Sequence, residues 1–135
     1  MASLRPGDLF ANRFEIVCEV GRGAAGVVYR AHDVELKQAV ALKMINETEA
    51  DGQDQERFLR EASLSAQIHH PNVVTVFDYG RGEHGVETFC YMAMQLLQGE
   101  SLGGRLAKRH GGLPAQAALA IVTQVARGLR AAHQR

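Results

Sequence analysis

A cluster of glycines at Gly21, Gly23 and Gly26 constrains this fold more than any other feature, because both of its flanks are strand-like. Apolar residues alternate with polar ones from Phe14 onward, and residues 27–29 resume a β-branched and aromatic run directly after the cluster. A G-x-G-x-x-G motif that binds a dinucleotide lies between a strand and a helix, so this context excludes that fold. The sequence instead predicts a glycine-rich β-hairpin, which serves either as a tight structural turn or as a backbone surface that approaches phosphate oxygens closely.

The remaining segments predict an α+β domain. Period-two patterns and β-branched residues predict strands at 14–20, 27–31, 39–45, 73–77 and 89–94, with Gly80, Gly82 and Gly85 in the loop between the last two. Helix formers with a 3.6-residue period predict helices at 54–68, 102–109 and 114–133. The order β-β-β-α-β-β-α-α indicates a five-stranded antiparallel sheet with one packed helix, followed by two more helices. Residues 1–13 show little periodicity and are expected as a leader.

The helix predicted at 114–133 is amphipathic. Pro114 suits the first turn of a helix, where its missing amide hydrogen costs nothing. The longest apolar run, residues 117–122, is far shorter than the roughly 20 residues that a membrane-spanning helix needs. One apolar stripe is predicted along this helix, formed by Ala118, Ile121, Val122, Val125, Leu129 and Ala132.

Composition excludes several classes of function. The 15 Lys and Arg residues balance 15 Asp and Glu residues, so no net charge attracts a nucleic-acid backbone or an anionic membrane. Cys18 and Cys90 match no metal-ligand spacing and are too few for a disulfide scaffold, and the N-terminus lacks the apolar segment of a secretory signal. We therefore expect a cytoplasmic protein with no metal ligands, no nucleic-acid partner and no membrane segment.

Lys43 stands inside an apolar strand, on the face that it shares with Ala41 and Ile45. An ammonium in apolar surroundings is costly unless it is paired. On one interpretation the strand is at an edge and Lys43 extends to water. On the other interpretation, a carboxylate forms an ion pair with the Lys43 ammonium.

Glu61 raises the same question on the first helix, where Phe58, Glu61, Leu64 and Ile68 recur at helical spacing and predict one shared face. A glutamate at the edge of such a stripe can pair with the neighbouring Arg57 or Arg60. Alternatively, Glu61 on the helix and Lys43 on the preceding strand satisfy each other.

The order of these features resembles the small lobe of a eukaryotic-like (Hanks-type) protein kinase, and the local sequences are similar to those of bacterial serine/threonine kinases. Residues 21–28 read G-x-G-x-x-G-x-V, and residues 40–43, V-A-L-K, are close to the V-A-I-K strand. Residues 57–62 look like the regulatory helix with its ion-pair glutamate, and residues 70–74, H-P-N-V-V, look like its exit into the next strand. The resemblance covers nearly all of the chain from Asp8 onward.

The resemblance implies a site for ATP. On its phosphate side lie the hairpin and two catalytic residues, Lys43 binding the α- and β-phosphates while paired with Glu61. The hairpin residues that would cover the triphosphate are Gly21, Arg22, Gly23, Ala24, Ala25 and Gly26. The pair Ala24-Ala25 departs from the bulkier or glycine-rich tips of the family, so closure over phosphate is expected to differ.

On the adenine side, the resemblance assigns an apolar roof to Val20, Val28 and Ala41. The hinge would be residues 94–97, with Met94 at the gatekeeper position. The backbone of Gln95 and Leu97 would form hydrogen bonds with the adenine edge. Gln95 replaces a frequent acidic residue, which leaves backbone bonding unaffected.

The family's catalytic loop, H-R-D-x-x-x-x-N, and its D-F-G sequence have no counterpart in these 135 residues. The catalytic base and the ligands for Mg²⁺, which a complete parent kinase uses, are therefore missing, and the chain alone is expected not to transfer phosphate. We expect residues 14–99 to form the small lobe with the hinge, and residues 100–135 to begin a large lobe cut before the catalytic loop.

Two hypotheses follow for function. The chain is the ATP-binding front part of a serine/threonine kinase that phosphorylates protein hydroxyls, or it is a stand-alone, non-catalytic kinase-like module with a binding or regulatory role. The first expects ATP and a protein substrate as partners. The first also expects self-association through the apolar stripe of helix 114–133, because the lobe that normally covers it is not encoded here, whereas a monodisperse monomer would favour the second.

Overall fold

The computed structural model describes residues 4–24, 26–109 and 111–134. Its six strands are β1 (Leu9–Phe10), β2 (Phe14–Gly23), β3 (Gly26–Asp33), β4 (Gln38–Asn46), β5 (Val76–His84) and β6 (Glu87–Gln95). Its three helices are α1 (Gly52–Ala66), between β4 and β5, and α2 (Leu102–Ala107) and α3 (Ala115–His133), which follow β6. The α+β class is confirmed, with helices and strands in the predicted order apart from the additional β1.

The six strands form one antiparallel sheet in the order β1-β2-β3-β4-β6-β5. The two edge strands approach each other, since the Ala11 amide donates a 3.3 Å hydrogen bond to the Glu83 carbonyl. Gly82 permits this approach, because a Cβ at that position would lie 2.6 Å from Cζ of Phe10. The sheet therefore curls, and its inner face encloses the core.

Aromatic residues dominate the core inside the curled sheet. Phe10 and Phe14 are fully buried, and the Phe10 ring lies 5.7 Å from that of Phe89 and 5.6 Å from that of Tyr91. The alternation predicted for residues 39–45 places one set of β4 side chains here: Val40, Leu42 and Met44 are at most 2% exposed. The opposite face of β4 is left for Ala41, Lys43 and Ile45.

The prediction of five strands was wrong by one short strand, and two of its details need correction. The segment expected as a leader supplies β1 and places Leu4 and Phe10 in the core. The fourth predicted strand, 73–77, instead begins at Val76 and runs through Gly80 and Gly82, which were expected in a loop. Both differences have a similar cause: β1 is defined by its pairing with β2, and β5 by its pairing with β6, and a period-two pattern within one segment does not report such pairing.

An ion cluster around the buried Asp33 carboxylate joins β3 and β5 to the residue before β2, at the end of the sheet opposite the glycine hairpin. Arg13, just before β2, donates from Nε and Nη2 to the two carboxylate oxygens of Asp33 at 3.0 and 2.9 Å, and from Nη1 to Asp78. Burial raises the pKa of the Asp33 carboxyl, but the hydrogen bonds from Arg13 and from the Leu36 and Glu35 amides outweigh it and hold the pKa below its ordinary value. The sequence pattern does not indicate this cluster, because Asp33 stands at a polar, turn-like segment and Asp78 directly follows the predicted strand 73–77.

α1 is fixed mainly at its N-terminal end and against β5 and β6. The Asp51 carboxylate caps the helix by accepting a 2.8 Å hydrogen bond from the Asp54 amide. The Gln55 side chain donates to the carbonyls of Glu47 and Ala50 at 3.0 and 3.1 Å, which ties the preceding loop to the first turn. The helix therefore starts two residues earlier than the predicted 54–68 and ends at Ala66.

α3 packs closely against the loop that follows α1. Gly128 is the contact point, since a Cβ there would lie 2.8 Å from the carbonyl oxygen of Asn72. Because Gly128 faces this loop, only part of the predicted apolar stripe is buried. Ala118, Ile121 and Ala132 are partly buried, while Val122, Val125 and Leu129 are 52–62% exposed. Among the described helices, none combines the length and hydrophobicity needed to cross a bilayer.

Candidate functional site

The glycine cluster forms the turn of the β2–β3 hairpin, as predicted. Gly21 pairs with Val28 and Gly23 with Gly26, with Ala24 in the turn. Ala25, which was assigned to the same site, lies outside the described residues. Gly26 has a φ of +118°, and a Cβ there would lie 2.7 Å from Cγ2 of Ile45 and closer still to the Met44 carbonyl oxygen. The hairpin thus lies directly against β4, in a position that only glycine allows.

The register of the sheet brings four of the assigned residues onto one face. Val28 on β3 lies opposite Lys43 on β4, and Ala41, two residues before Lys43, lies opposite Met94 on β6. Directly opposed residues of antiparallel strands share a face, as do residues two apart along a strand. The apolar side chains of Val28, Ala41 and Met94 therefore flank Lys43 on the face that turns away from the core.

Val20 departs from the regular ladder. Its neighbours Glu19 and Gly21 pair with Tyr29 and Val28, so Val20 is the extra residue of a β-bulge. Its side chain is 61% exposed. Because of this bulge, Val20 does not continue the alternation that predicted the strand at 14–20.

The hinge residues follow directly from β6. Gln95 is the last residue of that strand, and its backbone amide donates a 2.8 Å hydrogen bond to the Thr75 carbonyl. The Gln95 amide hydrogen is therefore already used and is not available to a ligand. Leu97, two residues further on, is 64% exposed, in extended chain before α2.

A cavity of about 740 Å³ lies between the hairpin tip, β4 and α1. Arg22, Gly23, Ala24 and Gly26 form one wall, and Lys43 contributes to another. α1 closes the side opposite the hairpin with Phe58 and Glu61, among other residues. The cavity thus unites the assigned phosphate-side residues that the structure describes, except Gly21, and its volume falls in the range typical of small-molecule sites. The assigned adenine-side residues do not line it: Val20, Val28, Ala41, Met94, Gln95 and Leu97 lie outside its walls.

The predicted ion pair between Lys43 and Glu61 is absent from the part of the chain that the structure describes, although both residues line the cavity. Glu61 is exposed, and the Lys43 ammonium instead lies over the Phe58 ring, 6.0 Å from its centroid. The predicted face of Phe58, Glu61, Leu64 and Ile68 is also not the buried one: Ala62 is buried, and Leu64 is 53% exposed.

Sequence patterns did not identify Phe58 as a partner of Lys43. Its position three residues before Glu61 was the available signal, since residues at that spacing lie on neighbouring turns of one helix face. The choice between them depends on how far α1 is rotated about its axis. Contacts with β5 and β6 fix that rotation, and the helix's own period does not reveal it.

The described residues do not form a metal site. Glu49, Asp54 and Glu61 line the cavity, but among the residues present in the structure no group of three or more Asp, Glu, His or Cys side chains is close enough to hold a metal ion. Mg²⁺ requires several oxygen ligands in near-octahedral geometry. The acidic residues of this cavity therefore do not fit that cation by themselves.

Comparisons with known proteins agree with this geometry. A family model described as the protein kinase domain matches residues 14–135. Serine/threonine-protein kinase PknA of Mycobacterium tuberculosis is 35% identical over 133 residues, covering 97% of this chain and 31% of the relative. Serine/threonine-protein kinase pkn2 of Myxococcus xanthus is 35% identical over 135 residues, covering 98% of this chain and 15% of the relative.

The solved PknI kinase domain of M. tuberculosis superposes with a TM-score of 0.82 at 32% identity, covering 98% of this chain and 52% of that chain. This chain therefore spans about a third or less of these two curated relatives and about half of the solved kinase domain.

Proposed function

Because this chain belongs to the protein kinase family, homologous to bacterial serine/threonine kinases, we propose that it forms the ATP-binding part of such an enzyme. The parent activity would be transfer of the ATP γ-phosphate to serine or threonine hydroxyls of a protein substrate. Within the chain, the proposed nucleotide site is bounded by the hairpin of residues 21–26, the outer face of β4 and the hinge at residues 94–97.

One observation supports this proposal: Lys43 shares one face of the sheet with apolar side chains and lines one cavity with the glycine hairpin. Val28, Ala41 and Met94 share its face, and Gly23 and Gly26 line its cavity. A base is flat and apolar on its faces, whereas the attached phosphates are anionic. An apolar surface with a cation and exposed backbone beside it suits both parts of a nucleotide.

The residues of this chain would bind and orient the nucleotide. Lys43 would neutralise charge on the α- and β-phosphates, and the hairpin would cover them and exclude water. At the hinge, Leu97 is exposed and its backbone would bond the base, whereas the Gln95 amide hydrogen is engaged by the Thr75 carbonyl. The groups that orient the attacking hydroxyl and hold the metal in this family have no counterpart in the printed sequence. We propose that this polypeptide alone binds ATP without transferring its phosphate.

We expect weak ATP binding by the 135-residue chain, with a Kd above about 100 μM at 25 °C. The affinity should change little when Mg²⁺ is added, because the described acidic residues form no metal site. Titration calorimetry or an NMR titration with ATP, in the presence and absence of Mg²⁺, measures both quantities.

Lys43→Met should abolish the detectable ATP affinity, whereas Lys108→Met, which removes an exposed ammonium paired with Glu100, should leave it unchanged. Low-micromolar affinity that depends on Mg²⁺ would contradict the expectation of an incomplete site. Equal binding by both lysine variants would remove Lys43 from the proposed site.

We further propose that the chain associates with a second copy through the outer face of α3. Leu119, Val122, Val125 and Leu129 are each more than half exposed along that helix. Burying apolar surface contributes about 25 cal/mol per Å², so a contiguous helical face of this kind favours association.

Val122→Ser combined with Leu129→Ser should shift the chain toward monomer by at least about ten-fold in dissociation constant, because it removes two large side chains from that face. Sedimentation velocity over a range of concentrations measures the shift. A matched change at another exposed valine, Val86→Ser at the β5–β6 turn, should have no effect. A wild-type chain that stays monomeric at several hundred micromolar would overturn the proposal.

A further inference from the structure

Lys43 has an unusual partner in this structure. Its ammonium lies over the Phe58 ring, and within the described part of the chain neither Lys43 nor Glu61 takes part in an ion pair. Both Phe58 and Glu61 line the cavity that Lys43 lines. The ring face carries negative electrostatic potential and attracts a cation at this distance. Phe58, and not a carboxylate, is therefore the group of α1 that lies beside the ammonium.

Phe58 and Glu61 are alternatives, because one helix carries both. They are three residues apart, so a modest rotation of α1 about its axis exchanges one for the other beside β4. The present rotation is held by the Gln55 hydrogen bonds to the Glu47 and Ala50 carbonyls and by packing against β5 and β6. These contacts involve the start and one side of the helix and leave the Phe58–Glu61 turn facing the cavity.

The two partners are closely matched in strength. A cation over an aromatic ring at a partly exposed site and a solvent-exposed ion pair each change an equilibrium constant by only a few-fold. A single side chain on α1 is therefore sufficient to bias which partner Lys43 takes.

We propose that Phe58 is a positioning residue that competes with Glu61 for Lys43 and thereby holds Lys43 away from its phosphate-binding arrangement. The competition itself is inferred from the observed Lys43–Phe58 contact. Its effect on ATP binding rests on the proposed nucleotide site. Removal of the aromatic face, with apolar bulk retained, releases Lys43 to Glu61 and to the nucleotide.

The test compares Phe58→Leu with Phe58→Tyr in the 135-residue chain. Phe58→Leu keeps an apolar side chain without a ring, whereas Phe58→Tyr keeps the ring. ATP affinity, measured by NMR titration, should rise about two- to five-fold in Phe58→Leu and stay unchanged in Phe58→Tyr. Adding Glu61→Gln to Phe58→Leu should cancel the gain, because the released lysine then has no carboxylate to orient it.

A second readout needs no nucleotide. A double-mutant cycle of Lys43→Met and Glu61→Gln on urea unfolding should show no coupling in the wild-type background and a coupling of about two- to five-fold in the unfolding constant in the Phe58→Leu background. If coupling appears but no variant binds ATP, the competition stands and the proposed nucleotide site fails. Unchanged coupling in Phe58→Leu, or an affinity gain that persists with Glu61→Gln, would overturn the competition itself.

Discussion

Replacing Gly26 with alanine is expected to destabilise the protein by about 3–5 kcal/mol, because two costs combine. The φ of +118° is strained for any residue with a Cβ, and the added methyl group would overlap the Met44 backbone carbonyl and the Ile45 side chain. The overlap with Met44 involves backbone in a central strand, which cannot shift without breaking its pairing with β3 and β6. Urea unfolding followed by circular dichroism measures the loss of free energy.

The same hairpin supplies a matched control for this prediction. Alanine at Gly23 would meet no atom within 4 Å, and the φ of Gly23 is not positive. Gly23→Ala should therefore cost less than about 1 kcal/mol. Similar losses of unfolding free energy for Gly26→Ala and Gly23→Ala would show that neither the positive φ nor the close approach to β4 requires glycine at position 26.

Arg13→Met should also be severely destabilising, by about 3 kcal/mol or more, because it strands a buried carboxylate. The Asp33 side chain is fully buried, and Arg13, itself 16% exposed, supplies two of its hydrogen bonds. Chemical unfolding at pH 7 measures the effect. Lys108→Met, which breaks an exposed pair with Glu100, should cost at most about 1 kcal/mol.

The pH dependence of the Arg13→Met effect has a definite sign. The pKa of Asp33 is lowered in the folded protein, so the stabilisation from this carboxylate is present above its unfolded pKa of about 3.9 and is lost as the pH falls through the folded value. Without Arg13, only the two amide hydrogen bonds oppose the effect of burial, so the Asp33 pKa rises from its value in the wild type and the carboxyl becomes neutral at a higher pH. The difference in stability between wild type and Arg13→Met should therefore be largest near pH 7 and shrink below about pH 4. A difference independent of pH would assign the loss to packing alone.

The glycine hairpin and the face on which Lys43 lies could be predicted from the sequence, because both are local patterns. The glycine spacing between two strand-like runs indicates a hairpin, and the alternation through residues 39–45 determines which face Lys43 shares with Ala41. The opposition of Val28 to Lys43 and of Ala41 to Met94 then follows from the sheet register, which the core residues Leu42 and Met44 enforce.

The errors occur where a feature depends on residues that are distant along the chain. Asp33 and Asp78 resembled ordinary turn and strand-end residues until the fold brought both to Arg13. The segment 1–13 resembled a leader because a two-residue strand has no period to detect, and its pairing with β2 supplies the missing signal.

The hairpin, the inward and outward faces of β4 and the family can be predicted from the sequence, because each depends on the spacing of residues that are close along the chain. Tertiary structure alone decided three things: the curl of the sheet onto Phe10 and Gly82, the burial of Asp33 against Arg13, and the partner of Lys43. The partner of Lys43 depends on the rotation of α1 about its own axis. A period of 3.6 residues specifies which side chains of α1 lie together, but the packing of α1 on β5 and β6 fixes its rotation, and that rotation sets Phe58 rather than Glu61 over the ammonium.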